Sequence, residues 1–141
     1  MFRRNIARMS AAVTGVVVLT LTVAGTATAA TARNGVCETG EFCLYWGSNF
    51  TGSVSDFDGS LSNYGSSQPT CYEFRTPGMP GYQQCVKNNA ASARNKTQAN
   101  NVTVYAGSGF VPPSDFFAPG QARNLNSGVQ NNNGSHRFVH V

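Results

Sequence analysis

The sequence predicts an all-β fold: two Greek-key units packed face to face as a sandwich, stabilised by two disulfides. Three observations predict it. Beyond residue 30 no stretch keeps an amphipathic helical period for more than two turns, and Gly, Ser and Asn punctuate the chain every few residues. A pattern of spaced aromatic residues recurs 60 positions further along the chain. Four cysteines, Cys37, Cys43, Cys71 and Cys85, all fall in that same region.

The first element is a leader. Arg3, Arg4 and Arg8 precede an apolar run from Ala11 to Ala24, and no acid occurs before Glu38. Small residues follow at Ala27, Thr28, Ala29 and Ala30. Basic start, short apolar run and small-residue exit are the parts of a secretory signal peptide. The run is 14 residues long, shorter than the ~20 that a membrane span needs. Residues 1–30 are therefore expected to be a signal peptide, and residues 31–141 a single secreted, extracellular domain. The full chain carries +4, but the part after residue 30 holds seven basic and six acidic residues, a net +1. That balance excludes a nucleic-acid binder driven by phosphate neutralisation and gives no basis for membrane attachment after the leader is gone. A monomer is expected.

The 111 residues left hold three Leu, nine Val and no Ile, against eight Phe, five Tyr and one Trp. The core is expected to be aromatic. Export places the cysteines in an oxidising space. Four cysteines allow three pairings, and sequence alone does not choose. Locality favours Cys37–Cys43 and Cys71–Cys85. The second pair closes fifteen residues, for which chain entropy gives roughly 3 kcal/mol. Zinc fits poorly, because the spacings are not those of short ligand pairs. His136 and His140 lie on a strand-like segment, ~13 Å apart and too far to share an ion, and are expected to be free surface histidines.

Candidate strands are Glu41–Trp46, Ser53–Phe57, Gln83–Lys87, Asn101–Ala106 and His136–Val141. Val102 and Val104 alternate with Thr103 and Tyr105, as in a half-buried strand. The repeat aligns Tyr45–Gly52 with Tyr105–Pro112 at an offset of 60, and Asn88–Ala93 with Asn131–His136 at an offset of 43. The first unit, about residues 37–95, is thus 17 residues longer than expected from the second, about 100–141. The Cys71–Cys85 loop has no counterpart in the second unit and reads as an insertion. Within each unit, an aromatic at a strand end and another five residues on can fold over a tight hairpin. Gly52 tolerates the positive φ this needs. Ser92 and Ser135 can hydrogen-bond back and pin the hairpins.

Catalytic signatures are absent: no nucleophile elbow, no H-E-x-x-H and no phosphate-binding glycine loop. Asp56 and Asp58 would share a strand face, where a solvated pair is the simpler reading than a catalytic one. The protein is expected not to be an enzyme.

The twice-occurring aromatic-x4-aromatic hairpin with its later Asn-Asn-x-x-Ser resembles the βγ-crystallin Greek key over residues 41–138. More narrowly, Cys37, Cys43 and Tyr45, then Ala91-Ser92-Ala93-Arg94, then Ala118-Pro119-Gly120 through Arg123 and Leu125, resemble the secreted bacterial metalloproteinase inhibitors, family thirty-six of the peptidase inhibitors. The resemblance implies a βγ-crystallin-like sandwich and a secreted inhibitor that inserts a rigid surface loop into an extracellular metallo- or other endopeptidase. In that family the protease-facing bond lies in the second unit, inside a short cystine loop. No cysteine stands there in this chain.

An inhibitory segment must be rigid and exposed, so that little order is lost on binding. Two segments qualify. The first is Phe110, Val111, Pro112, Pro113, Ser114, Asp115 and Phe116, where the prolines fix φ. The second is the cystine loop, with Phe74, Arg75, Thr76 and Met79. No cofactor is required. The alternative reading is a calcium-binding extracellular module without inhibitory activity. The βγ-crystallin resemblance then implies calcium ligation at Asn88, Asn89 and Ser92, and at Asn131, Asn132 and Ser135. Oxygen ligands suit calcium, and an uncharged set would bind weakly.

Overall fold

The computed structural model describes residues 30–141, together with Gly15. The expected signal peptide, residues 1–30, lies outside the described residues except for Gly15 and Ala30. Seven strands form: β1 (Phe42–Tyr45), β2 (Val54–Phe57), β3 (Ser92–Asn95), β4 (Asn100–Gly107), β5 (Val111–Phe117), β6 (Ala122–Asn124) and β7 (Ser135–His140). Among the described residues there is no α-helix. The strands make two antiparallel sheets, ordered β2-β1-β3-β6 and β5-β4-β7.

Strand alternation builds the core between them. Phe42 and Leu44 on β1 face Val102 and Val104 of β4, with Phe57, Phe117, Tyr64, Phe74 and Val86 filling the space. Phe42 meets Phe117 edge-on at 5.7 Å between centroids. The expected aromatic core is present, as are the two disulfides that locality favoured, Cys37–Cys43 and Cys71–Cys85. On the opposite face of β1, Cys43 and Tyr45 join Val54, Cys37 and Phe50 in a second cluster.

The second unit lends its third strand to the sheet of the first, and the first unit lends a single bridging residue to the sheet of the second. β6 follows β5 in the chain but pairs with β3, Ala93 opposite Arg123. Reciprocally, Leu61 of the first unit bridges His136 on β7. The flanking bonds repeat too: Tyr64 N–H donates to Gly134 O at 3.1 Å, and Leu125 N–H to Ala91 O at 3.0 Å. The extra length of the first unit falls between Tyr64 and Ala91, where the cystine loop lies.

The hairpin devices appear twice. Tyr45 packs edge-on to Phe50 at 5.6 Å, and Tyr105 to Phe110 at 5.8 Å. Ser92 Oγ donates to Gly47 O and accepts from Phe50 N–H, at 2.6 and 3.0 Å. Ser135 Oγ does the same with Gly107 O and Phe110 N–H, at 2.7 and 3.1 Å. Gly52 has φ +78°, the left-handed value the turn asks for.

Several expectations are corrected. Gln83–Lys87 is not a strand. Gln83 sits at φ +63° and Gln84 closes a turn onto Gly81, leaving only a Glu73–Cys85 bridge. The strand beside β1 is instead Ser92–Asn95, outside the expected set. His136 is no surface histidine. It is fully buried, because it shares the inward phase of β7 with Phe138 and lies between Phe57 and Phe42. Asp56 is likewise fully buried rather than solvated.

Candidate functional site

The segment Phe110–Phe116 becomes the second hairpin turn and most of β5, an edge strand of its sheet. Residues 111–114 are all exposed, Val111 by 53% and Phe116 by 51%, while Asp115 and Phe117 turn inward. Proline is tolerated because β5 has a neighbour on one side only. Where β5 pairs, Thr103 lies opposite Phe116 and Val104 opposite Asp115.

Two carbonyls of this strand, those of Ser114 and Phe116, are taken by side chains further along the chain. Asn126 Nδ2 donates to Ser114 O at 3.0 Å, and Arg123 Nη2 to Phe116 O at 2.6 Å. Arg123 also grips Asp115 with both terminal nitrogens, each at 2.8 Å, and Asp115 accepts a third bond from Asn126 N–H at 2.8 Å. The guanidinium lies 4.2 Å above the Phe117 ring. Hydrogen bonding to Asp115 raises the Arg123 pKa above its ordinary value, outweighing its partial desolvation. The exposed stretch is thus held at both ends, by Ser135 on Phe110 and by Arg123 with Asn126 on Ser114–Phe116.

The cystine loop presents a different surface from the one its sequence implied. Phe74 is fully buried and meets Trp46 edge-on at 5.7 Å, so it is not available for contact. Thr76 is spent on the fold: its Oγ1 donates to Gly35 O and accepts from Val54 N–H, at 2.7 and 3.0 Å. The Arg75 N–H donates to Val54 O at 2.7 Å. Gly35 covers the Arg75 carbonyl so closely that a Cβ there would lie 2.7 Å from it. Arg75 keeps an exposed side chain beside Glu73 at 3.4 Å. Met79, with Tyr72 and Tyr82, supplies the exposed apolar surface of this loop. The loop therefore offers side chains, while its Arg75–Thr76 peptide is shielded.

The shield is the segment just after residue 30. Asn34 and Gly35 N–H groups donate to Asp56 at 3.0 and 2.8 Å. The Arg33 guanidinium donates to Ser55 Oγ, to Asp56 O at 3.3 Å and to Glu73 O at 2.8 Å. It lies 4.6 Å from the Phe57 ring and 5.2 Å from Tyr72. Burial pushes its pKa below the ordinary arginine value, against the opposing pull of Asp56. Nothing in the sequence marks this clamp. An isolated Arg-Asn-Gly before the first cysteine carries no periodic signal.

The paired Asn-Asn-x-x-Ser stretches contact each other reciprocally. Asn88 and Asn131 have φ +63° and +52°, a conformation asparagine tolerates. Asn88 N–H donates to Asn133 O at 2.9 Å, and Asn131 N–H to Ala90 O at 2.8 Å. Asn89 Nδ2 donates to Cys85 O and Asn132 Nδ2 to Gly128 O, at 2.9 and 3.0 Å. With both serine hydroxyls engaged on the hairpins, these residues bond chiefly to the fold itself. Among the described residues no group of three His, Cys, Asp or Glu is placed to hold a metal.

Three solved structures resemble this arrangement. One belongs to work on the evolution of the eye-lens βγ-crystallin domain fold, at TM-score 0.52 and 11% identity, covering 82% of this chain and 94% of that one. A βγ-crystallin from Ciona intestinalis gives TM-score 0.51 and 16% identity, over 71% and 100% of the two chains. The N-terminal domain of protein S gives 0.50 and 16%, over 72% and 97%. At these identities the likeness establishes the fold, a βγ-crystallin-like sandwich. No curated protein matches the chain in sequence. The sequence profile of peptidase inhibitor family I36 matches residues 30–117, from the clamp to the last residue of β5. The chain belongs to peptidase inhibitor family I36, carried on a βγ-crystallin-like fold.

Proposed function

We propose that the protein is a secreted inhibitor of an extracellular endopeptidase, that its leader is removed near residue 30, and that the hairpin end and β5 enter the enzyme's cleft. Membership of the inhibitor family carries the general role and makes the protein a non-enzyme. The observation that supports this segment over the cystine loop is accessibility. Val111–Ser114 are exposed on an edge strand braced at both ends, whereas the Arg75–Thr76 peptide is covered by Gly35. A braced segment loses little conformational freedom on binding. Pro112 and Pro113 have no N–H to donate, so recognition rests on carbonyls and on the apolar side chains of Val111 and Phe116. Such side chains suit an enzyme with an apolar pocket beside the scissile bond, as in thermolysin-like metallopeptidases.

The test is a titration of the mature protein against thermolysin-like, subtilisin-like and trypsin-like enzymes. Stoichiometric loss of activity is expected for at least one of them, weakened by Val111→Asp or Phe116→Asp and unchanged by Met79→Asp. Absence of inhibition across the panel at micromolar protein would overturn the reading. The reading requires no calcium. The Ser92 and Ser135 hydroxyls that a calcium site would draw on are already bonded to the hairpins.

A further inference from the structure

The exposed segment carries no disulfide, and something else must keep it in place once a peptidase engages it. A peptidase that cleaves between Val111 and Ser114 adds water across one peptide bond and leaves a new carboxylate and a new amine. If either new end drifts away, the inhibitor becomes an ordinary substrate. The upstream end is held by Ser135 Oγ on Phe110 N–H and by the Gly107–Val111 pairing. The downstream end depends on one side chain more than any other.

That side chain is Arg123. It makes two 2.8 Å bonds to Asp115, one 2.6 Å bond to Phe116 O, and lies over the Phe117 ring. Three consecutive residues of β5 are gripped by one planar group. Asp115 is only 6% exposed, so this charge pair is largely out of solvent on the carboxylate side and is bidentate in geometry. Arg123 does not belong to the sheet of β5. It sits on β6, hydrogen-bonded to β3 in the opposite sheet. The contact therefore ties the candidate reactive strand across the sandwich.

We propose that Arg123 is a positioning residue for inhibition: a non-covalent staple that keeps the residues after the attacked bond in place, so that a cut segment is retained in the cleft rather than released. The inference rests on the hairpin end and β5 being the inhibitory segment. Lysine would keep the charge but lose the fork that spans Asp115 and Phe116 O.

The experiment compares wild type, Arg123→Gln, Arg123→Lys and Asn126→Ala against a peptidase that the wild type inhibits. Inhibition constants are read together with time-resolved mass spectrometry of the inhibitor. The Arg123→Gln form is expected to inhibit at least about tenfold more weakly, and transiently. It should accumulate cuts confined to residues 111–114, with Arg123→Lys close behind it. Asn126→Ala removes one bond to Ser114 O and should fall between Arg123→Gln and wild type. Cuts scattered over the whole chain would show global loosening and overturn the assignment. So would an Arg123→Gln form that stays intact and inhibits as tightly and durably as wild type. If the wild type inhibits nothing, the inhibitory reading itself fails. If it inhibits and Arg123→Gln is indistinguishable from it, only the role of Arg123 does.

Discussion

At the scale of single residues, His136 shows how burial sets chemistry. Its Nε2–H donates to Gly59 O and its Nδ1 accepts from the Tyr64 hydroxyl, both at 2.8 Å, so the neutral ring is fully satisfied. Desolvation lowers its pKa to about 4. The unfolded chain binds this proton near the ordinary ~6.5 and the folded one only near 4. Stability should therefore be complete above about pH 6.5 and fall as pH drops toward 4, by about 3 kcal/mol from this group. Glu41 acts in the opposite sense. Burial raises its pKa, so its carboxylate costs stability as pH rises through the carboxylate range. Urea unfolding at pH 7, 5.5 and 4.5 should show the loss, and His136→Gln should flatten it. An equal slope in both proteins would contradict the assignment. The inward phase of His136 with Phe138 was present in the sequence. It is masked because histidine in a terminal strand is ordinarily solvated. The serines were legible for the opposite reason: each recurs in the same place relative to its hairpin, and a repeated position constrains its role.

At the scale of elements, what could be read followed periodicity, and what could not followed pairing. β1, β2, β4 and β7 alternate or end in aromatics, and their expected bounds lie within a residue or two of the observed ones. β6 is three exposed residues whose only reason to be a strand is the edge of β3 beside it. The run Gln83–Lys87 reads like a strand but turns instead, since the disulfide fixes Cys85 against Cys71. The cystine loop is also the element whose anchoring can be measured directly. Trp46 is the one tryptophan of the chain, and it packs against Gly81 so closely that a Cβ there would fall 2.3 Å from the ring. Backbone bonds Ser53 N–H to Pro80 O and Val86 N–H to Tyr72 O hold the loop independently of its sulfurs. Replacing Cys71 and Cys85 together by serine should cost up to about 3 kcal/mol in urea unfolding, because the unfolded chain gains freedom. The native fluorescence maximum should stay where it is, since the loop remains docked on Trp46. A red-shifted native spectrum would show that the disulfide, not the packing, seats the loop.

At the scale of the molecule, the two units are interlocked by backbone pairing and are expected to fold as one cooperative body. β6 of the second unit completes the sheet of the first, and Leu61 of the first bridges β7 of the second. The symmetry extends to single side chains. Arg94 lies 4.0 Å from the Phe50 ring and Arg137 5.0 Å from Phe110, each arginine holding its own hairpin aromatic. The junction between the units is no flexible linker either. Asn95 Nδ2 donates to Asn100 O and Phe117 O at 2.8 and 3.0 Å, and its Oδ1 accepts from Thr97 N–H and Oγ1 at 3.0 and 2.6 Å. Asn95 and Thr97 are both buried. A half-chain would therefore expose Phe42 or Phe117, lose an edge strand and orphan this buried amide, costs that together exceed what half of a small core supplies. Residues 31–98 and 99–141 made separately should each lack a cooperative melting transition and dispersed amide resonances. Mixed in equal amounts, they should regain both, since the exchanged strand pairings need no covalent link at residue 98. A cooperative transition in residues 31–98 alone would mean that the first unit, with its two disulfides, is self-sufficient, and that the donated β6 adds stability without being needed for folding.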